Sequence, residues 1–137
     1  MDDRKLEVFR DIVRKLDIQY ADENEFIQDV ISEISLMKSE LIQIKYYNAR
    51  SCSTDTYYKI YGLYEAFKRE KRMIDFDDML IKCYELLKKN HEILAYWQSR
   101  FRYVLIDEFQ DINRVQYATI QMLVSPHNNA IHPAIAR

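Results

Sequence analysis

A chain of 137 residues with one glycine, Gly62, has few ways to turn tightly or to bring its backbone against a phosphate. Positive φ is open to glycine at little steric cost and to other residues only rarely. Tight hairpins and phosphate-cradling loops both draw on that freedom. The sequence therefore lacks a Walker A loop and a GxGxxG turn, and it argues against an all-β sandwich or barrel. With only two prolines besides, the expectation is a mostly α chain of about one domain.

The apolar spacing fills in that expectation. Leu6, Val8, Phe9, Ile12, Val13 and Leu16 recur at helical steps between Asp2 and Asp17. After a polar break at Asp22–Asn24, Phe26, Ile27, Val30, Ile31, Ile34, Met37, Leu41 and Ile44 predict one long second helix. The polar stretch Asn48–Asp55 reads as a loop whose hydroxyls can cap a third helix beginning near Thr56. That helix carries Tyr57, Tyr58, Tyr61, Tyr64 and Phe67 and ends in the run Lys68–Arg72. Asp75 is placed to cap a fourth helix through Leu87, and a short helical stretch follows around Ile93–Trp97. Tyr103–Ile106 is the one strand-like run, its continuous apolar character fitting a strand covered on both faces with Trp97 packed under it. A last amphipathic helix spans Asn113–Val124. The tail, residues 125–137, shows neither strand alternation nor a helix long enough to close a fold, so the last third reads as a piece of a larger α/β domain, truncated or engineered at its end.

The net charge of −2 demands no polyanionic partner, but it is unevenly laid out. Residues 1–44 carry six basic against eleven acidic side chains, residues 45–72 seven against three, and residues 73–137 seven against eight. A basic middle suits a polyanion contact; solvated helix faces give the same imbalance. Cys52 and Cys83 stand far apart without metal-ligand spacing, and His91, His127 and His132 have no partners at ligand spacing. Asp2 and Asp3 open the chain where a signal peptide would be basic then apolar, and no run reaches the roughly 18 apolar residues of a membrane span. The expectation is a cytoplasmic protein without a membrane partner.

The chemistry lies in Tyr103-Val104-Leu105-Ile106-Asp107-Glu108-Phe109-Gln110-Asp111, an apolar strand that delivers adjacent carboxylates at its end. Such a strand fits a Walker B element, in which the first acid helps hold Mg²⁺ through water and the second orients or deprotonates the attacking water. An apolar run followed by Asp-Glu is common in ordinary α/β proteins. The longer string is more specific. Asp107-Glu108-Phe109-Gln110-Asp111-Ile112-Asn113, with Gln116-Tyr117 behind it, resembles motif II of the UvrD/Rep family of superfamily 1 DNA helicases, and Ile74-Asp75-Phe76-Asp77-Asp78-Met79-Leu80 resembles the segment that opens the helix leading to it.

The resemblance implies a division of the chain: residues 1–99 as the family's helical 1B-type subdomain, residues 100–124 as a strand and helix of the RecA-like P-loop domain 1A, and residues 125–137 as tail. It implies Asp107 as the Mg²⁺-associated carboxylate, Glu108 as the catalytic base, and Gln110 and Asp111 in support of the nucleotide site. It further implies a parent that uses ATP and Mg²⁺ to translocate 3′ to 5′ on single-stranded DNA and open duplex junctions, working with the remaining parts of 1A and with domains 2A and 2B. A related helicase fused to a nuclease would carry the same string. The family's phosphate loop is absent, so the chain by itself is expected to be inactive toward ATP.

Competing readings attach to most other features. Lys59, Lys68, Arg69, Lys71 and Arg72 either grip DNA phosphates or form a solvated helix end that complements the dipole. The tyrosines either stack on bases or, at their helical spacing, pack as core, which the spacing favours. Asp75, Asp77 and Asp78 are better explained by capping than by metal. A helical DNA- or protein-binding module without turnover, and a purely structural domain, are the alternatives to an enzyme.

Overall fold

A computed structural model of the chain describes residues 3–125 and the backbone of residues 130–131. The elements run α1 (Asp3–Lys15), α2 (Glu23–Ser39), a 3₁₀ turn (Ile44–Tyr46), α3 (Thr54–Lys71), α4 (Phe76–Lys89), α5 (His91–Arg100), β1 (Val104–Leu105), a second 3₁₀ turn (Phe109–Asp111), α6 (Arg114–Val124) and β2 (Ala130–Ile131). The chain is mostly helical, as the glycine-poor sequence implies. It divides into two compact units, Met1–Lys38 with Ile42–Ile74 and Ser39–Leu41 with Asp75–Arg137. Among the described residues no helix is long and apolar enough to cross a membrane.

In the first unit the predicted stripes close on one another. Phe9, Ile12 and Val13 of α1, Ile27, Val30, Ile31, Ile34 and Met37 of α2, and Tyr57, Ile60 and Tyr64 of α3 form its core. The Phe9 and Tyr64 rings lie 4.4 Å apart, and Tyr47 packs on Tyr57 at 5.3 Å. Tyr57 and Tyr64 are thus buried packing residues, withdrawn from any base-stacking role. The Tyr57 hydroxyl reaches Met37 Sδ at 3.5 Å, and burial pushes its ionisation well above the usual phenol range.

Helix ends are closed without glycine. Asp17, Leu41 and Arg72 adopt positive φ where helices end, and Glu108 does so before the second 3₁₀ turn. At Arg72 the amides of Arg72 and Met73 bond the carbonyls of Arg69 and Lys68, at 3.2 and 2.8 Å, and at Asp17 the same pair of bonds runs from Asp17 to Arg14 and from Ile18 to Val13. Both are Schellman closures with an ordinary side chain in the left-handed position. The turn at Leu41 overrides the sequence reading of α2: the helix stops at Ser39, and the Ile42 amide folds back onto the Met37 carbonyl at 3.1 Å. Apolar spacing through Leu41 and Ile44 continues past a break that the backbone has already made. Gly62 lies inside α3, and a methyl group placed on it meets nothing within 4 Å. Gly62→Ala is therefore expected to stabilise the chain by about 0.5–1 kcal/mol in a urea melt; a lower midpoint would show that the site has a use for glycine.

In the second unit α4, α5 and α6 pack together. The Asp75 carboxylate accepts the Asp78 amide at 2.8 Å while Asp78 returns the bond to the Asp75 amide at 3.2 Å, the reciprocal capping box that opens α4. Asn90 closes α4 and caps α5 through the Ile93 amide at 3.1 Å, and Gln98 of α5 donates to the Met122 carbonyl of α6 at 2.8 Å. β1 pairs in parallel with β2, Val104 opposite Ala130 and Leu105 opposite Ile131. Parallel strands need a crossover, and α6 lies in it. The tail therefore does contribute a strand, contrary to its lack of alternation, because two residues suffice to pair. His127 and His132 lie outside the described residues.

Two further expectations are corrected here. Leu105 is 79% exposed and Tyr103 70%, while Ile106 is buried, so among the described residues β1 is covered on one face only. Trp97 does not pack under the strand; it is exposed on α5, between the rings of Tyr96 at 5.3 Å and Phe101 at 6.1 Å.

Candidate functional site

The carboxylate string begins where β1 ends. Ile106 anchors the chain in the second unit, and the next two residues, Asp107 and Glu108, are both exposed. Asp107 Oδ1 accepts the Glu108 amide at 2.9 Å, which closes the turn. Glu108 itself sits at φ 50°, ψ 49°, the left-handed region that a side chain with Cβ enters only under constraint. Its carbonyl accepts the Asp111 amide at 2.9 Å, the Phe109 carbonyl accepts the Ile112 amide at 3.2 Å, and the 3₁₀ turn formed by these bonds leaves Gln110 and Asp111 exposed.

From there the chain enters α6 through a second reciprocal cap. Asn113 Oδ1 accepts the Gln116 amide at 2.9 Å and Gln116 Oε1 accepts the Asn113 amide at 3.2 Å. The Phe109 ring meets Tyr117 edge to face, centroids 5.8 Å apart, and Gln121 Nε2 donates to the Tyr117 hydroxyl at 2.8 Å. The sequence alone places Asn113 and Gln116 only within the motif. Their spacing, Asn and then Gln three residues on, is the signal of a capping box.

An exposed carboxylate pair at a strand end can accept a proton from water and can hold a hydrated cation. Among the described residues no cluster of three or more acidic, histidine or cysteine side chains could enclose a metal.

The expected basic set lies in the first unit. Lys59 is exposed and pairs with Asp55 at 2.8 Å; Arg69, Lys71 and Arg72 are exposed, with Lys71 3.7 Å from Glu70. Lys68 differs from them. Its side chain is only 6% exposed, its Nζ lies 2.8 Å from Glu65 Oε1, and it stands over the Tyr64 ring at 4.7 Å. Lys38 shares the same Glu65 oxygen at 2.7 Å. Of the five, Lys59, Arg69, Lys71 and Arg72 are exposed and Lys68 is buried.

A buried acid carries no signal in the sequence. Glu33 of α2 accepts the Tyr47 hydroxyl at 2.9 Å, the Arg50 amide at 2.6 Å, the Ser51 amide at 2.9 Å and the Ser51 hydroxyl. Burial alone would raise its pKa, but these donors together hold it below the ordinary value of 4.5. Beside it Cys52 is a free, partly buried thiol whose pKa burial raises.

Comparison with known proteins adds a second line of observation. The chain matches the UvrD/REP helicase N-terminal domain family over residues 2–134. It is 34% identical over 105 residues to ATP-dependent DNA helicase Rep of Escherichia coli, a match covering 75% of this chain and 16% of that protein. It is 33% identical over 132 residues to a "Probable DNA helicase II homolog" of Mycoplasma capricolum, covering 93% of this chain and 18% of that one. A Rep helicase of Buchnera aphidicola is 29% identical over 127 residues, covering 91% and 18%. The chain spans less than a fifth of the length of these relatives.

Proposed function

The chain belongs to the UvrD/REP helicase N-terminal domain family, and we propose that it is the part of an ATP-dependent DNA helicase that contributes the Walker B carboxylates and a DNA-contacting helical subdomain. The observation that carries this reading is the exposed Asp107–Glu108 pair at the carboxyl end of β1, a strand joined by a helix to a parallel neighbour. In open α/β sheets ligands collect at the carboxyl ends of strands. Residues 100–124 then supply a strand and helix of a RecA-like domain, and residues 1–99 the helical 1B-type insertion.

Asp107 is the residue that would hold Mg²⁺, through water, with the Asp107–Glu108 turn leaving its second oxygen outside the bond to the Glu108 amide. When bound, the ion supplies neutralisation of phosphate charge. Glu108 takes the proton of the attacking water, and Gln110 and Asp111, exposed on the following turn, support the nucleotide site. The phosphate loop must come from elsewhere in the full-length protein, since one glycine, inside α3, cannot build it. ATP hydrolysis then drives 3′ to 5′ movement on single-stranded DNA, in a cytoplasmic protein completed by the rest of 1A and by domains 2A and 2B. The test is DNA-stimulated ATP hydrolysis: the full-length protein turns over and the 137-residue chain does not. A full-length protein without DNA-stimulated turnover refutes the reading.

The DNA surface of the first unit is Lys59, Arg69, Lys71 and Arg72. Arg69→Ala with Lys71→Ala in the full-length protein is expected to weaken duplex binding and to flatten the dependence of log affinity on log salt by about 0.9 for each phosphate no longer neutralised. An unchanged slope removes these residues from the DNA surface.

A further inference from the structure

We infer that Asn113 and Tyr117 of α6 are positioning residues for Glu108, holding its left-handed turn so that the carboxylate presents one fixed direction to water. The inference rests on the reading of Glu108 as the base. Nothing intrinsic to glutamate selects φ 50°, ψ 49°; an isolated Glu leaves that region for the ordinary helical or extended one. The conformation persists only where the neighbours over-determine it, and those neighbours can be named. On the N-terminal side the Asp107 carboxylate takes the Glu108 amide. On the C-terminal side only the three-residue turn Phe109–Asp111 and Ile112 separate Glu108 from the Asn113 cap, and that turn is fixed by the bonds from Asp111 to the Glu108 carbonyl and from Ile112 to the Phe109 carbonyl.

The start of α6 therefore sets where the turn ends. The Asn113–Gln116 box determines which amide begins the helix, and the Tyr117 amide completes its first turn by bonding the Asn113 carbonyl at 3.0 Å. The Tyr117 ring then packs at a steep angle on the ring of Phe109, the residue directly after Glu108. Rotation of Glu108 into an ordinary conformation would swing Phe109 off Tyr117 and pull the turn from its cap. The carboxylate is thus aimed by α6 through the backbone.

The experiment measures DNA-stimulated ATP hydrolysis by the full-length protein. Asn113→Ala removes the cap and is expected to lower kcat on the order of tenfold with the KM for ATP unchanged. Asn113→Ser keeps a capping oxygen and restores turnover toward wild type. Tyr117→Leu lowers kcat in the same way, whereas Tyr117→Phe keeps the ring edge and restores it; this second pair reads the inference should Asn113→Ala fold poorly. Wild-type kcat in both Asn113→Ala and Tyr117→Leu, alongside an inactive Glu108→Gln, overturns the positioning role while the assignment of the base stands. Loss of kcat that Ser and Phe do not rescue, accompanied by a raised KM or a lowered melting temperature, also overturns it, because it marks a structural role only. Full turnover by Glu108→Gln overturns the underlying reading itself.

Discussion

Glu108→Gln in the full-length protein is expected to lower DNA-stimulated ATP turnover on the order of 10²–10⁴-fold while ATP still binds. The substitution keeps the volume and the hydrogen-bonding reach of the side chain and removes its ability to take a proton. It leaves the backbone bonds at Asp107 and Asp111 untouched, since both are made by the Glu108 main chain. The loss therefore falls on kcat and spares the KM for ATP. Asp107→Asn makes the useful contrast: a carboxylate assigned to Mg²⁺ should raise the metal concentration needed for half-maximal rate when it is removed, which Glu108→Gln should not. If Glu108→Gln turns over within a small factor of wild type, the base lies elsewhere.

The second large effect is on stability. Glu33→Ala is expected to cost about 2–4 kcal/mol, because it strands the Arg50 and Ser51 amides and the Tyr47 and Ser51 hydroxyls that the carboxylate now satisfies. The upper part of the range applies if the loop stays closed over the gap, the lower part if water reaches the freed amides. Glu33→Gln keeps the shape but turns an NH₂ toward donors, and is expected to fall between the two. The pH dependence follows from the direction of the shift. Burial opposes ionisation, the donors outweigh it, and the folded pKa lies below the ordinary value of 4.5. The stabilisation is therefore fully present above the unfolded pKa and is lost as pH falls through the folded one. Urea melts at neutral pH and in acid check it: the gap between wild type and Glu33→Gln should narrow in acid. A gap that is absent at neutral pH, or that widens on acidification, would sink the account.

Glu33 also illustrates what can be read from residues alone. α1, α3, α4 and α6 announce themselves because their apolar residues repeat at three and four, and the caps of α3 and α4, Ser53 and Asp75, are of types that accept backbone amides. Those are local signals, and they survive folding. The end of α2 is different: the pattern Met37, Leu41, Ile44 is helical in sequence, and the break comes from a backbone conformation at Leu41 that the residue type does not favour. Lys38 meets Glu65 across 27 residues and Glu33 meets Ser51 across 18, separations over which a single sequence carries no pairing information. Lys68 reads as a member of a surface run for a related reason; its partner Glu65 lies only three residues away, but that carboxylate is shared with Lys38 of α2, remote in sequence.

At the candidate site the string from Asp107 to Asn113 is legible because its chemistry is contiguous. The left-handed Glu108 is not, since local preference points away from it and it is Asp107 and α6 that hold it there. The coverage of β1 is not legible either, because an apolar run states what a strand tolerates, while its neighbours come from chain remote in sequence.

The scarcity of glycine has a consequence that reaches the unfolded ensemble. Where many proteins place glycine at a left-handed helix end, the disordered chain must surrender that residue's extra freedom on folding. Here Asp17, Leu41 and Arg72 hold those positions, so the disordered state is the narrower one and the penalty appears instead as torsional strain in the folded state. Each such closure stays shut only while its neighbours are folded. Helix termination in this chain is thus a collective property of the packed unit, and loosening the packing should release the ends before the helices themselves melt.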